Sequence, residues 1–281
     1  MKKNINVFLS SLLAIVFVTS FVIAVAGISI SPATLDFRIE DTTKTFTIAN
    51  TGDEDIDISL PATKTITQGS NTVTFTFTPN SFNDVTNVSA PVTVDVTLSG
   101  SSTAFKFGKY SPSTPTTITA TESDGGGSVT TPLTLQFTRG FCSNGQKGTA
   151  NMTISDIDVD NKGDSEDSDD DVWVLGDEVE ISVDVENLLP NDDLNDINVK
   201  MGLFDSQGND VADDLDFDSP DEEEQEVGDI NEDDEETITF SFRVPPDFDV
   251  GDYTLVFKAF EDGKENTLCA ERDEGAIDVD Q

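Results

Sequence analysis

The feature that most constrains this chain is a polar/apolar alternation of period two, which recurs in both halves every 10 to 20 residues. Val73, Phe75 and Phe77 alternate with Thr72, Thr74, Thr76 and Thr78, and Val92, Val94, Val96 and Leu98 with Thr93, Asp95 and Thr97. Further on, Val179, Ile181, Val183 and Val185 face one way while Glu178, Glu180, Ser182, Asp184 and Glu186 face the other. Ile197, Val199, Met201 and Leu203 repeat the pattern, as do Ile238, Phe240, Phe242 and Val244. Successive side chains of a strand point to opposite faces, so these segments are strands with one buried and one hydrated side. No 3.6-residue pattern after Gly27 is long enough for a helix. The expectation is an all-β chain of two antiparallel sandwiches, each of about seven short strands. Most of the 19 Phe, which have no polar group to satisfy, belong in the two cores.

The junction between the modules falls in Gly140 to Thr149, where GFCSNGQKGT follows the strand-like TPLTLQFT. The Gly125-Gly126-Gly127 tract reads as a hairpin loop inside the first module, because Leu133, Leu135 and Phe137 still need a sheet to join. Residues 28–141 and 148–281 are therefore the two expected domains.

Charge separates them. Of the 281 residues, 56 are acidic and 15 basic, a net of −41, and none is His. Up to Cys142 there are 11 acidic and 8 basic residues; beyond it there are 45 and 7. The first module is instead rich in Ser and Thr, 39 of the 115 residues from Ile28 to Cys142. So negative a chain repels nucleic-acid phosphates and anionic headgroups, and without His it has no Ser-His-Asp or Cys-His catalysis. No Gly-rich phosphate loop follows a strand, and no nucleophile elbow or metal-binding Cys pair is present, so the sequence points away from an enzyme.

Residues 1–26 read as a targeting segment. Lys2 and Lys3 precede an uncharged run from Val7 to Ile23, and Ala24-Val25-Ala26 offers a small-x-small cleavage site before Gly27. The run is longer than the usual core of such a signal, so an uncleaved anchor is the alternative and the only membrane attachment the sequence offers. The expected location is extracytoplasmic, secreted or on the cell surface.

Three further features carry candidate chemistry. In DIDVDNKGDSEDSDDDVW (Asp156 to Trp173), Asp158, Asp160, Asp164, Glu166 and Asp169 are spaced as an EF-hand-like loop requires around Gly163, since calcium takes six to eight oxygens. Lys162 occupies a ligand position and flanking helices are absent, so a solvated acidic loop between the first two strands is the competing reading. Calcium is the single cofactor candidate. Cys142 and Cys269, 127 residues apart, are either a disulfide, in keeping with export, or two thiols. Asn87-Val88-Ser89 and Asn151-Met152-Thr153 match the glycosylation sequon. The acidic run from Asp221 to Glu236 is interrupted by Val227 and Ile230 and reads as a charged edge strand with a turn. From Tyr253 to Phe260 both faces are greasy, so Val256 and Phe260 mark either a side tucked under a loop or a contact with the first domain or another subunit.

SPATLDF (Ser31 to Phe37) and KTFTIANTGDEDIDISL (Lys44 to Leu60), with Asn50-Thr51-Gly52 closing a strand, resemble the opening of Ig-like modules of microbial surface proteins. WVLGDEVEISVDVEN (Trp173 to Asn187) and PPDFDVGDYTLVF (Pro245 to Phe257) resemble the CARDB type of Ig-like domain, with Gly176-Asp177 and Gly251-Asp252-Tyr253 opening strands. The resemblance implies two tandem Ig-like sandwiches in a secreted archaeal or bacterial surface protein, and it supplies no active site. The expected function is a non-catalytic structural or adhesion protein of surface-layer or envelope type, with other envelope proteins or surface glycans as partners. A calcium-dependent carbohydrate-binding module is the alternative, although Trp and Tyr, the usual sugar platforms, number only 1 and 2. An accessory subunit of a secreted enzyme or filament is another. Intact-mass measurement of the protein purified from its cells is expected to show a chain beginning at Gly27; one still beginning at Met1 contradicts the cleaved signal.

Overall fold

The computed structural model describes residues 26–163, 170–218 and 223–281. Among them the chain is all-β, with two single-turn 3-10 segments, Ser102–Ala104 and Ala212–Asp214, and no α-helix. In the first module the strands are β1 (Ile28–Ser31), β2 (Thr34–Arg38), β3 (Thr43–Asn50), β4 (Ile56–Ser59), β5 (Thr63–Gln68) and β6 (Asn71–Thr78). They continue with β7 (Ser81–Val85), β8 (Val92–Gly100), β9 (Gly108–Tyr110), β10 (Thr116–Glu122) and β11 (Ser128–Arg139). The second module holds β12 (Met152–Asn161), β13 (Val172–Val174), β14 (Glu178–Asn187), β15 (Leu194–Phe204) and β16 (Asp216–Phe217). It ends with β17 (Glu224–Ile230), β18 (Glu235–Arg243), β19 (Gly251–Glu261) and β20 (Cys269–Asp280).

Each module stacks two sheets. In the first, the order β1-β3-β8-β6-β5 faces β2-β11-β10-β4-β7, with β9 added beside β11. In the second, β12-β14-β18-β16 faces β13-β20-β19-β15-β17. The glycine tract turns β10 into β11, with Thr121 opposite Ser128. Purely antiparallel sheets, however, do not describe the molecule. β2 runs parallel to β11 and β13 runs parallel to β20. The cause is a change of sheet early in each module: β1 pairs with β3, and after Pro32, which has no N–H to give a ladder, the chain crosses to lie beside the last strand of the other sheet. This division of long strands, together with short edge pieces, also raises the strand number above seven.

The alternation decides what is buried. Val73, Phe75, Val94 and Val96 are fully enclosed in the first core, where Phe37 meets Phe75 edge to face at 5.2 Å and Phe105 meets Phe137 at the same separation. Val179 to Val185 and Ile197 to Leu203 line the second core through their inward residues, around Trp173 and Phe242 at 5.4 Å. The two cores share no residue.

Buried asparagines close the strand ends. Asn50 Nδ2 donates to the carbonyls of Glu54 and Val85 while its Oδ1 accepts from the Gly52 N–H. Asn187 does the same at the end of β14, donating to Asp192, Ile230 and Asn231 and accepting from Leu189 N–H. An amide is suited to this because it donates and accepts at once. The Asn in each strand-closing motif is thus a loop staple, and the same device appears in both modules. Asn187→Ala leaves several carbonyls unpaired and is expected to destabilise the second module by about 3 kcal/mol, read from chemical denaturation.

Candidate functional site

The residues with the most specific geometry lie where the modules meet. The linker that follows Arg139 is held by two carboxylates of the second module, Glu271 on β20 and Glu265 in the turn before it. Glu271 Oε2 accepts from the Cys142 N–H at 2.7 Å, and its Oε1 meets Arg38 Nη1 of β2 at 3.3 Å, so one carboxylate binds the linker and the first module together. Glu265 Oε1 accepts from Ser143 N–H at 2.9 Å, Ser143 Oγ at 2.8 Å and Lys258 Nζ at 2.9 Å. Lys147 and Cys269 exchange backbone hydrogen bonds of 2.9 and 2.8 Å. Cys142 and Cys269 are joined as a disulfide, and both are fully buried beside Phe260. Arg139 Nη1 donates to the Gly140 and Cys142 carbonyls, curling the linker back on itself. A Cβ on Gly140 would stand 2.1 Å from Glu271 Oε1, so a larger residue there displaces that carboxylate.

Aromatic contacts extend the junction. Phe107 of the first module stacks on Phe204 of the second at 4.1 Å, and Phe141 of the linker meets Phe204 edge to face at 5.2 Å. Lys258 Nζ lies 4.6 Å from the centre of the Phe141 ring. Gly208 approaches the Phe107 carbonyl so closely that a Cβ would sit 2.1 Å from it, at a φ of +74° that already favours glycine. A cavity of about 500 Å³ opens between the modules, walled by Phe107, Phe141, Phe260, Arg139, Lys258 and Glu265. Another of about 320 Å³ lies between Arg38, Phe107, Arg139, Val256 and Glu271. A third, about 290 Å³, sits in the second module between Asp205, Asp214, Asp247, Asp249, Phe248 and Tyr253.

Burial and charge act in opposition here. Burial raises the Glu265 carboxyl, yet the Ser143 N–H, the Lys258 ammonium and the Ser143 hydroxyl together hold it below its ordinary value of 4.5. Burial lowers the Arg139 guanidinium, with Glu271 and Glu265 opposing the shift. Burial raises Glu40, whose Oε2 is enclosed against Gly145 with no hydrogen-bond partner among the described residues. These walls offer binding chemistry: a cation over an aromatic ring, and carboxylates fixed by backbone N–H groups.

The residues selected from the sequence fare differently. Asp158 and Asp160 lie on the exposed face of β12, opposite Ser182 and Glu180. That segment, expected as an acidic loop from Asp156 onward, is strand as far as Asn161, with Ile157 and Val159 turned inward. Lys162 bonds Glu180 at 2.7 Å and lies 3.9 Å from Asp160. Asp164, Glu166 and Asp169 lie outside the described residues, among which no group of three or more acidic or Cys side chains is placed to hold a metal ion. Asn87 is exposed in the turn after β7, next to Val88 at 89% exposure, with Thr86 Oγ1 and Ser89 Oγ 2.6 Å apart. Asn151 is half-buried, its N–H on the Gly148 carbonyl and its own carbonyl accepting from Leu188. Val256 and Phe260 face the first module and the linker, packing against the junction. Glu265, Glu271 and Arg139 were not singled out by sequence; nothing distinguishes two carboxylates among 56. Among the described residues no helix is long and apolar enough to cross a membrane.

No family model matches the chain, and no curated protein matches it. Among solved structures it is similar to the C-terminal domain of wzt, with 15% identity and a TM-score of 0.35 over 49% of this chain and 76% of that one. It is similar also to the E. coli chaperone DraB, with 10% identity and a TM-score of 0.32 over 89% and 99%. A CARDB domain from Pyrococcus furiosus, in complex with di-metal ions, is 17% identical with a TM-score of 0.26 over 50% and 97%. At these scores none of the three bears on function, which rests on this chain's own residues.

The Glu265 carboxylate is favoured in the folded state, so its hold on the linker is complete at pH above the ordinary glutamate value and is lost as pH falls through the lower folded one. Limited proteolysis is expected to cut the linker near Ser143 faster in acid than at neutral pH. Glu265→Gln is expected to be cut readily at both.

Proposed function

We propose that this protein is an exported, non-catalytic structural element of the cell surface. Its two sandwiches form one stiff body that presents loops and sheet edges to neighbouring envelope proteins or surface glycans. The observation that carries this reading is the double grip on the linker: Glu271 on the Cys142 N–H and Glu265 on the Ser143 N–H, together with the Cys142–Cys269 bridge. Interfaces between domains of one chain ordinarily permit relative motion, and a protein whose task is to hold surfaces at fixed separation has to suppress it. A bridge of this kind persists in oxidising compartments, which agrees with export. The Thr-covered first module and the acidic second one supply two different hydrated surfaces, and the acidic one repels anionic polymers.

Protease treatment of intact cells tests the placement. The expected result is loss of the chain while a cytoplasmic control stays whole; survival of the chain until the cells are lysed contradicts it.

A further inference from the structure

An asparagine followed two residues on by Ser or Thr becomes a glycan acceptor where the chain presents it on an open surface loop. The chain holds two such tripeptides, Asn87-Val88-Ser89 and Asn151-Met152-Thr153, and the fold treats them in opposite ways. Met152 is fully buried in the second core, and Thr153 is fixed in the β12 ladder opposite Glu186. Asn151 is held at both backbone groups, its N–H on the Gly148 carbonyl and its own carbonyl on the Leu188 N–H, close to the junction where Lys147 pairs with Cys269. Presenting that tripeptide to an enzyme requires pulling a core residue into water.

Asn87 stands in loop 86–91, between β7 and β8. The Ser89 N–H donates to the Thr86 carbonyl at 3.2 Å, so 86–89 is a β-turn with Asn87 and Val88 at its apex. Asn87, Val88, Ser89 and Ala90 are all exposed, and Val88, at 89%, is the most exposed large apolar side chain among the described residues. The Thr86 and Ser89 hydroxyls pair with each other at 2.6 Å, which leaves the Asn87 amide to solvent. The loop hangs from the outermost strand of its sheet, since β7 pairs with β4 at the end of the order. At its root the Val85 carbonyl accepts from Asn50 Nδ2 at the end of β3, while the turn at the other end of β3 follows Arg38, which reaches Glu271 across the junction. The full length of β3 thus separates Asn87 from the junction.

We propose that Asn87 is an N-glycan acceptor and that Asn151, despite its matching tripeptide, is not. The donor is a glycan carried on a lipid phosphate at the outer side of the membrane. The Asn87 side-chain nitrogen bonds to the anomeric carbon of that glycan while the bond from the same carbon to the phosphate oxygen breaks. The phosphate leaves with that electron pair and one amide proton passes to a base, so nothing is oxidised or reduced. The attached glycan covers Val88, adds bulk and hydration to the near-neutral module, and stays clear of the contacts that join the two modules. The inference rests on the exported placement proposed above, because acceptor tripeptides of this kind are used in secreted chains.

Tryptic mapping of the chain from the envelope and cytoplasmic fractions of its own cells tests it, because Asn87 falls in peptide 65–106 and Asn151 in peptide 148–162. In the envelope chain, peptide 65–106 is expected to carry the mass of a glycan, with fragmentation placing it on Asn87, and peptide 148–162 is expected at its unmodified mass. Asn87 and Ser89 lie outside both cores, so substitution there leaves the packing intact. Asn87→Gln and Ser89→Ala are each expected to lose the added mass, and Ser89→Thr, which keeps the hydroxyl, to retain it. An added mass that persists in Asn87→Gln sits on the Ser and Thr hydroxyls of the same peptide and overturns the proposal, as does a glycan on Asn151. An unmodified chain in the envelope overturns it and leaves export standing, whereas an unmodified chain confined to the cytoplasm overturns both.

Discussion

A sheet can carry a dense layer of like charge on one side only if its other side is apolar without a gap. In the second module Asp156 stands opposite Asp184, Asp160 opposite Glu180 and Glu186 opposite Glu235. Each such pair is unfavourable in itself. The inward faces offset them: Val179, Ile181, Val183 and Val185 are fully buried, and so are Phe240, Phe242 and Trp173. Where apolar burial stops, at the strand ends, Asn161 and Asn187 satisfy the carbonyls that the turns leave free. The first module reaches the same architecture without that repulsion, using hydroxyls in place of carboxylates on its hydrated faces.

The same logic reaches the junction. Charged groups on the outer faces stay in water, but Glu271 is only 11% exposed, and Arg38 and the Cys142 N–H meet its two oxygens. A carboxylate taken out of water is retained only where donors surround it. Glu271 and Glu265 are thereby committed to the linker, with the disulfide and the Phe107–Phe204 stack holding the distance between modules. Local packing thus ties the two modules together at one junction, as the proposed structural role requires.

Much of this was legible in the residues. The period-two runs locate the buried faces in both modules, and the glycine-rich linker marks the junction. Two cysteines in the chain present one possible intramolecular pair. Other features were not legible, for identifiable reasons. Period two encodes which face is buried and says nothing of direction, so the parallel β2–β11 and β13–β20 pairs were hidden. Asp158 and Asp160 look like loop residues because they fall in a dense acidic run, although period two resumes at Ile157 after the bulge at Ile154/Asp156 and they project from a strand. Glu265 and Glu271 gain their importance from partners more than a hundred residues away in sequence, Ser143 and Cys142, and no local pattern records that.

The central claim is that the two sandwiches move as one body. Spin labels on cysteines introduced at exposed Thr97 and Glu236, one on each module, report the distance between them by electron-spin resonance, because the native cysteines are already joined. The account predicts one narrow distance distribution that is the same in low and high salt. A broad distribution, or one whose mean moves with salt, would contradict it.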